Sequence, residues 1–195
     1  MSAYTTRLKL EKQVSGENSG NWGNLVNYVF NRIDSTVRGY VAVSVAGTAN
    51  VTLVSNNSTT NTSEGADDQV HNKVIELTGA LGAAINVFTD AVEGEYIIHN
   101  NTSGAYALTF ANTGHAANGI AITQGSRAIV YTDGSTMYNA ISAGGANTQV
   151  QYNNSGVFAG SANLIFDGTN MIAAGTVTAQ GGQLSTTGKS LVMGF

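Results

Sequence analysis

The chain has no cysteine and no proline, and only 10% of its 195 residues are charged. Without cysteine there is neither a disulfide framework nor a thiolate metal site. A small secreted domain of the disulfide-stapled kind is therefore not expected. Few charges and a net charge of −4 leave no basic footprint, so nucleic-acid binding is not expected. No apolar run approaches the length of a membrane span, and no apolar stretch follows Arg7, Lys9 and Lys12 as it would in a secretory leader. Neither membrane insertion nor a standard export signal is expected.

The residues that fill the gap are Gly, Asn, Ser, Thr and Ala, with 24 glycines. Hydrophobic residues still make up 42% of the chain. That content can bury a core, and glycine and asparagine supply the positive φ of tight turns. The composition therefore predicts a mainly β protein rather than a disordered one.

One stretch breaks the β texture. From Gly16 to Gly39, Trp22, Leu25, Val26, Val29, Ile33 and Val37 recur at three- and four-residue steps. They form an apolar stripe, with Asn24, Asn27, Asn31, Asp34, Ser35 and Arg38 opposite. Asn21 is the expected N-cap and Gly39 the expected left-handed end. Such a helix is marginal alone. It is expected to anchor on a partner or on copies of itself. Ahead of it, Leu8 and Leu10 alternate with Lys9 in an arm that suits a short strand.

After Tyr40 the period becomes two. Strands are expected at 40–46, 50–54, 73–77, 85–89, 95–100, 105–110, 119–123, 127–131 and 136–140, with a polar loop over 55–68. Asp133-Gly134 between Tyr131 and Tyr138 is the strongest hairpin signal. This spacing predicts an antiparallel β-sandwich over 40–140, jelly-roll-like in connectivity. Residues 141–147 read as a linker. From 148 to 195 the apolar runs are very short, as at Leu164 to Phe166, Leu191 and the terminal Phe195. Such strands do not bury a core in one chain. An intertwined, trimeric β-segment is expected there.

No catalytic constellation stands out, and no enzyme, cofactor or metal is expected. Gly188-Lys189-Ser190 lacks the upstream glycine of a phosphate loop, because Gln183 occupies that position. Asp67, Asp68 and His71 make a weak metal signal at the end of a polar loop, best read as solvated. His99 and His115 are isolated. Asp90, Glu93 and Glu95 read as a charged turn rather than as glycosidase acids. The tyrosines suit cross-strand packing or a sugar-stacking face.

Several motifs carry a resemblance. They include Leu8-x-Leu10-x-x-Gln13, the run from Gly16 to Gly23 with Asn27 and Ile33-Asp34, Val43 to Gly47, and Asn50 to Leu53. Further along come Ile75 to Gly79, Tyr96 to Gly104 and Val130-Tyr131-x-Asp133-Gly134. Together they resemble the N-terminal part of tail-fibre-type proteins of marine tailed bacteriophages. Val150 to Phe158 and Leu164 to Thr169 are similar to repeats of phage fibre shafts. The resemblance implies a homotrimer in the virion, assembled in the cytoplasm of a bacterial host. It implies attachment to other virion proteins through the N-terminal region, and a distal part facing the host or another fibre protein. A short tail fibre or fibre adaptor is the leading expectation. A capsid decoration or head-fibre protein is the alternative. A carbohydrate-binding or glycan-degrading spike, with a host-surface glycan as partner, is a further one. Trp22, Leu25, Val26, Val29, Ile33, Val37, Leu164, Phe166, Leu191 and Phe195 are the expected interface residues.

Overall fold

The computed structural model describes residues 3–58, 68–141, 143–155 and 157–174. The chain divides into two compact units, 1–141 and 142–195. The first opens with a two-stranded arm, β1 (Ala3–Tyr4) and β2 (Glu11–Lys12), and then helix α1 (Trp22–Arg38). Nine strands follow: β3 (Tyr40–Ser44), β4 (Val51–Thr52), β5 (Val74–Ala80), β6 (Ile85–Thr89), β7 (Glu93–Ser103), β8 (Leu108–Asn112), β9 (Ile120–Ala121), β10 (Arg127–Asp133) and β11 (Met137–Asn139). The protein is mainly β with one α-helix among the described residues.

The expected strands between Tyr40 and Ala140 each have a counterpart. Their pairing is different from the one expected. From β3 to β8 the strands alternate between two sheets, of order β11-β10-β7-β5-β3 and β4-β6-β8-β9. β3, β5 and β7 pair in parallel, as do β4, β6 and β8. The chain thus makes three stacked passes, each giving one strand to each sheet. Antiparallel pairing is confined within this unit to β1–β2, β8–β9, β7–β10 and β10–β11. An antiparallel, jelly-roll-like connectivity is therefore replaced by parallel stacking. The physical reason lies in the turns. The links around Gly47, Leu81 and Gly104 carry the chain from one sheet across to the other instead of reversing it within a sheet. Period-two alternation is the same in both arrangements and does not distinguish them.

Alternation does set the core. Val41, Ile75 and Ile98 align across the parallel strands of one sheet, and Val87 and Phe110 across the other. All are buried in a single cluster with Val43, Leu77, Leu108 and Val130. Tyr96 meets Phe110 edge to face, with centroids 5.6 Å apart. Three buried polar side chains inside the stack find partners, although Asn112 Oδ1 has none. Asn100 Nδ2 donates to the Ile122 carbonyl (2.7 Å), the Tyr96 hydroxyl pairs with Thr89 (3.1 Å), and Asn112 bonds Thr132.

Two helix-end expectations change. Asn21 makes no side-chain cap; its Oδ1 instead accepts from Asn24 Nδ2 at 2.9 Å. Gly39 is extended (φ −66°, ψ 149°), not left-handed. Glycine is needed there for space, since a Cβ would lie 2.6 Å from Asn72 Oδ1 and collide with the Ser35 carbonyl.

The second unit contains an antiparallel sheet of β12 (Gln149–Asn154), β13 (Val157–Phe166) and β14 (Met171–Ala173). The short apolar runs around Phe158 and Leu164 join into one ten-residue strand, β13, longer than expected. Residues of the expected linker belong to this unit. Gly144 N donates to Gln151 Oε1 (2.9 Å), and a Cβ on Gly145 would meet Gly160 Cα at 2.7 Å.

Candidate functional site

Helix α1 meets its own chain through a polar seat. Leu25 and Arg32 are its buried residues, with Val26, Val29 and Thr36 half-buried. Arg32 is 1% exposed, and its Nη2 forms an ion pair with Asp68 Oδ2 at 2.7 Å. Its Nη1 donates to the carbonyls of Leu8 (3.0 Å) and Asn56 (2.8 Å). His71 completes the cluster. Its Nδ1 lies 2.8 Å from Asp68 Oδ1 and its Nε2 3.1 Å from the Arg7 carbonyl. A carbonyl only accepts, so Nε2 carries a proton. Burial lowers the Arg32 pKa, and the Asp68 charge opposes that shift.

This cluster ties three segments together: the arm, the helix and the loop before β5. More charge holds the arm from outside. Arg7 binds Glu93 through two bonds of 3.1 Å, and Lys9 Nζ lies 3.0 Å from Asp90 Oδ2 and 2.7 Å from Ser55 Oγ. Burial opposes ionisation of Asp90. Hydrogen bonds from Ser55 and Lys9, with the Lys9 charge, nevertheless hold its pKa below the usual carboxylate range. Asp68 and His71 are thus buried, Asp68 paired with Arg32 and in hydrogen-bond contact with His71, rather than solvated loop residues. Asp67 lies outside the described residues. Asp90, Glu93 and Glu95 take separate cations, Glu95 pairing with Lys73 at 2.9 Å. Among the described residues no group of three His, Cys, Asp or Glu side chains is placed to hold a metal. No helix among them is long and apolar enough to cross a membrane.

Half of the apolar stripe of α1 faces away from this seat. Trp22 and Val37 are 58% and 62% exposed, and Ile33 is exposed as well. Phe30, which the stripe reading omitted, is 61% exposed and widens it. Its position one step past Val29 hid it, since it lies at the stripe's far edge in a 3.6-residue period. Leu25 is turned inward.

A second, partly exposed apolar surface was not anticipated. On the outer face of the five-stranded sheet, Tyr40, Val74, Ile97 and Ile129 stand in register across four strands. An open groove of about 430 Å³ lies there, lined by Ile97, Arg127, Ala128, Ile129, Asn139 and Ile141. On the adjoining hairpin, Tyr131 and Tyr138 stack with centroids 5.0 Å apart. In the second unit Tyr152, Val157, Phe158, Phe166, Met171 and Ile172 are exposed, while Leu164 is half-buried. Leu191 and Phe195 lie outside the described residues.

Against known proteins, no family model, curated protein or solved structure matches this chain. The functional reading therefore rests on these surfaces and on the motifs of the sequence.

Proposed function

We propose that this chain is a structural subunit of a tailed-phage virion, a short homotrimeric tail fibre or fibre adaptor attached through its N-terminal region. Its work is mechanical, with no catalysis, nucleic acid or membrane insertion. The observation that carries the reading is the uncovered face of α1. Trp22, Phe30, Ile33 and Val37 form one exposed apolar strip on a helix whose other side is fixed by the buried Arg32. A protein with so few charges gains by covering such a strip with a copy of itself, because little charge has to be stripped of water. The exposed apolar residues of β12–β14 give the second unit the same reason to pair between chains. Repetition of sites in a trimer then multiplies weak contacts with other virion proteins.

Sedimentation of the purified chain tests the assembly. A trimer is expected, and Trp22→Ala with Ile33→Ala should shift it towards monomer and reduce incorporation into virions. A compact wild-type monomer at micromolar concentration would sink the reading. Imaging labelled virions separates a tail fibre from a capsid decoration protein by where the label sits.

A further inference from the structure

The turn between β2 and α1 brings side-chain oxygens of Glu11 and Gln13 onto one amide. Asn18 sits in the left-handed region at φ +59°, after Gly16 at +82°. Its Nδ2 donates to Glu11 Oε1 at 3.2 Å and to Gln13 Oε1 at 3.0 Å. A neutral amide NH2 thus stands between a carboxylate and an amide oxygen, where a positive charge would be better placed. Glu11 is only 7% exposed, and its other oxygen, Oε2, is buried with no hydrogen-bond partner. Gln13 Nε2 is likewise buried without one. Glu17, half-buried, adds a second carboxylate to the same turn, which closes through Glu17 N to the Val14 carbonyl at 2.9 Å.

No cation of the chain serves this carboxylate among the described residues. Lys9 is taken by Asp90 and Ser55, and Lys12 points to solvent. A buried carboxylate oxygen without donor or counter-ion is strongly disfavoured, and a missing ion or water is the ordinary explanation.

We propose that this turn is a site for a hard divalent cation of the calcium type. Both oxygens of Glu11, the Gln13 Oε1 and the Glu17 carboxylate bind it. The Asn18 amide turns over to present Oδ1, so that the ion takes the place of Nδ2. All the donors are oxygens, which suits calcium and disfavours zinc or copper. Two carboxylates suffice, since amide oxygens and water complete a calcium shell. The turn is irregular and hinged at Gly16, which suits calcium's loose geometry better than the strict octahedron of magnesium. Bound there, the ion fixes the arm to the start of α1 just before Trp22.

The test uses the full chain, stripped with a chelator and dialysed. Isothermal calorimetry and thermal unfolding are followed with CaCl2, MgCl2 and NaCl at matched ionic strength. One saturable calcium site per chain is expected, with Kd on the order of 10⁻⁴ to 10⁻³ M, as for weak extracellular sites. Calcium should raise Tm and magnesium should do so less. Glu11→Gln should abolish binding. Because Glu11 is buried and that variant can lose its fold, Asn18→Asp is the second probe. It adds a carboxylate where aspartate tolerates positive φ, and should tighten calcium binding by about tenfold. Equal Tm shifts from all three salts would reduce the effect to screening and overturn the proposal. So would the absence of saturable calcium binding, or binding unchanged in a folded Asn18→Asp variant.

Discussion

Arg32 Nη2 stands 2.7 Å from Asp68 Oδ2, with both side chains withdrawn from water. The pair joins α1 to a loop 36 positions further on. Removing one partner leaves the other charge buried alone. Arg32→Met or Asp68→Asn should therefore cost about 3–5 kcal/mol in denaturant unfolding. Exchanging both for apolar residues of similar size should cost less than either single change. A double variant as damaged as the singles combined would show that the two act independently.

The arm is expected to be one acid-sensitive part of the first unit. Asp90 has a folded pKa below its unfolded value. Its contribution is present above the unfolded value, 3.8, and is lost as pH falls through the lower folded one. Proteolysis near Arg7 and Lys9 should rise below about pH 4 while the stacked sheets remain protected. Asp90→Asn should reproduce that exposure at pH 7.

The hairpin between β10 and β11 should titrate as well. The Asp133 carboxylate accepts from the backbone N–H groups of Thr136 and Ser135, both at 2.8 Å, and its pKa is lowered to about 2. The turn is thus held by the ionised form above about pH 4 and loosens as pH falls towards 2. Amide shifts of Ser135 and Thr136 should titrate together with that midpoint. Asp133→Ala should speed exchange of both amides at neutral pH.

Two glycines with similar backbones should respond differently to alanine. Gly104 (φ +95°) and Gly114 (φ +80°) both sit where a Cβ is disfavoured. That alone costs about 1–2 kcal/mol. A Cβ on Gly104 would also lie 2.5 Å from the Leu81 carbonyl of the pass beneath, while one on Gly114 meets nothing within 4 Å. Gly104→Ala should therefore lower Tm clearly more than Gly114→Ala. Equal losses would mean that the passes are not in close contact at that turn.

Local order was legible in the sequence, and pairing was not. Val41 and Val43, or Ile75 and Leu77, announce strands through alternation. Nothing in alternation says whether Val43 faces a parallel or an antiparallel neighbour. Asp133-Gly134 marked the β10–β11 hairpin correctly, since its turn chemistry is local. The period of α1 was plain, but its buried side was not. Arg32 carries the seat, and a charged residue gives no apolar signal. The scarcity of charge was the available hint, because in such a chain a helix arginine is worth a buried partner. The oxygen cluster around Glu11 was hidden because Glu11, Gln13 and Asn18 meet only once the turn has formed.

The step from the second pass to the third is the same in both sheets: Val74 stands opposite Ile97 and Ile85 opposite Leu108, 23 positions on in each case, whereas Tyr40 and Val74 of the first step are 34 apart. Parallel neighbours in a sheet are about 4.8 Å apart. Duplicating residues 74–96 would thus extend the body by one rung of that height while leaving the arm, α1 and the closing hairpin as they are. Evolution, or an engineer, has a ruler here, with reach adjustable in whole notches and both ends conserved.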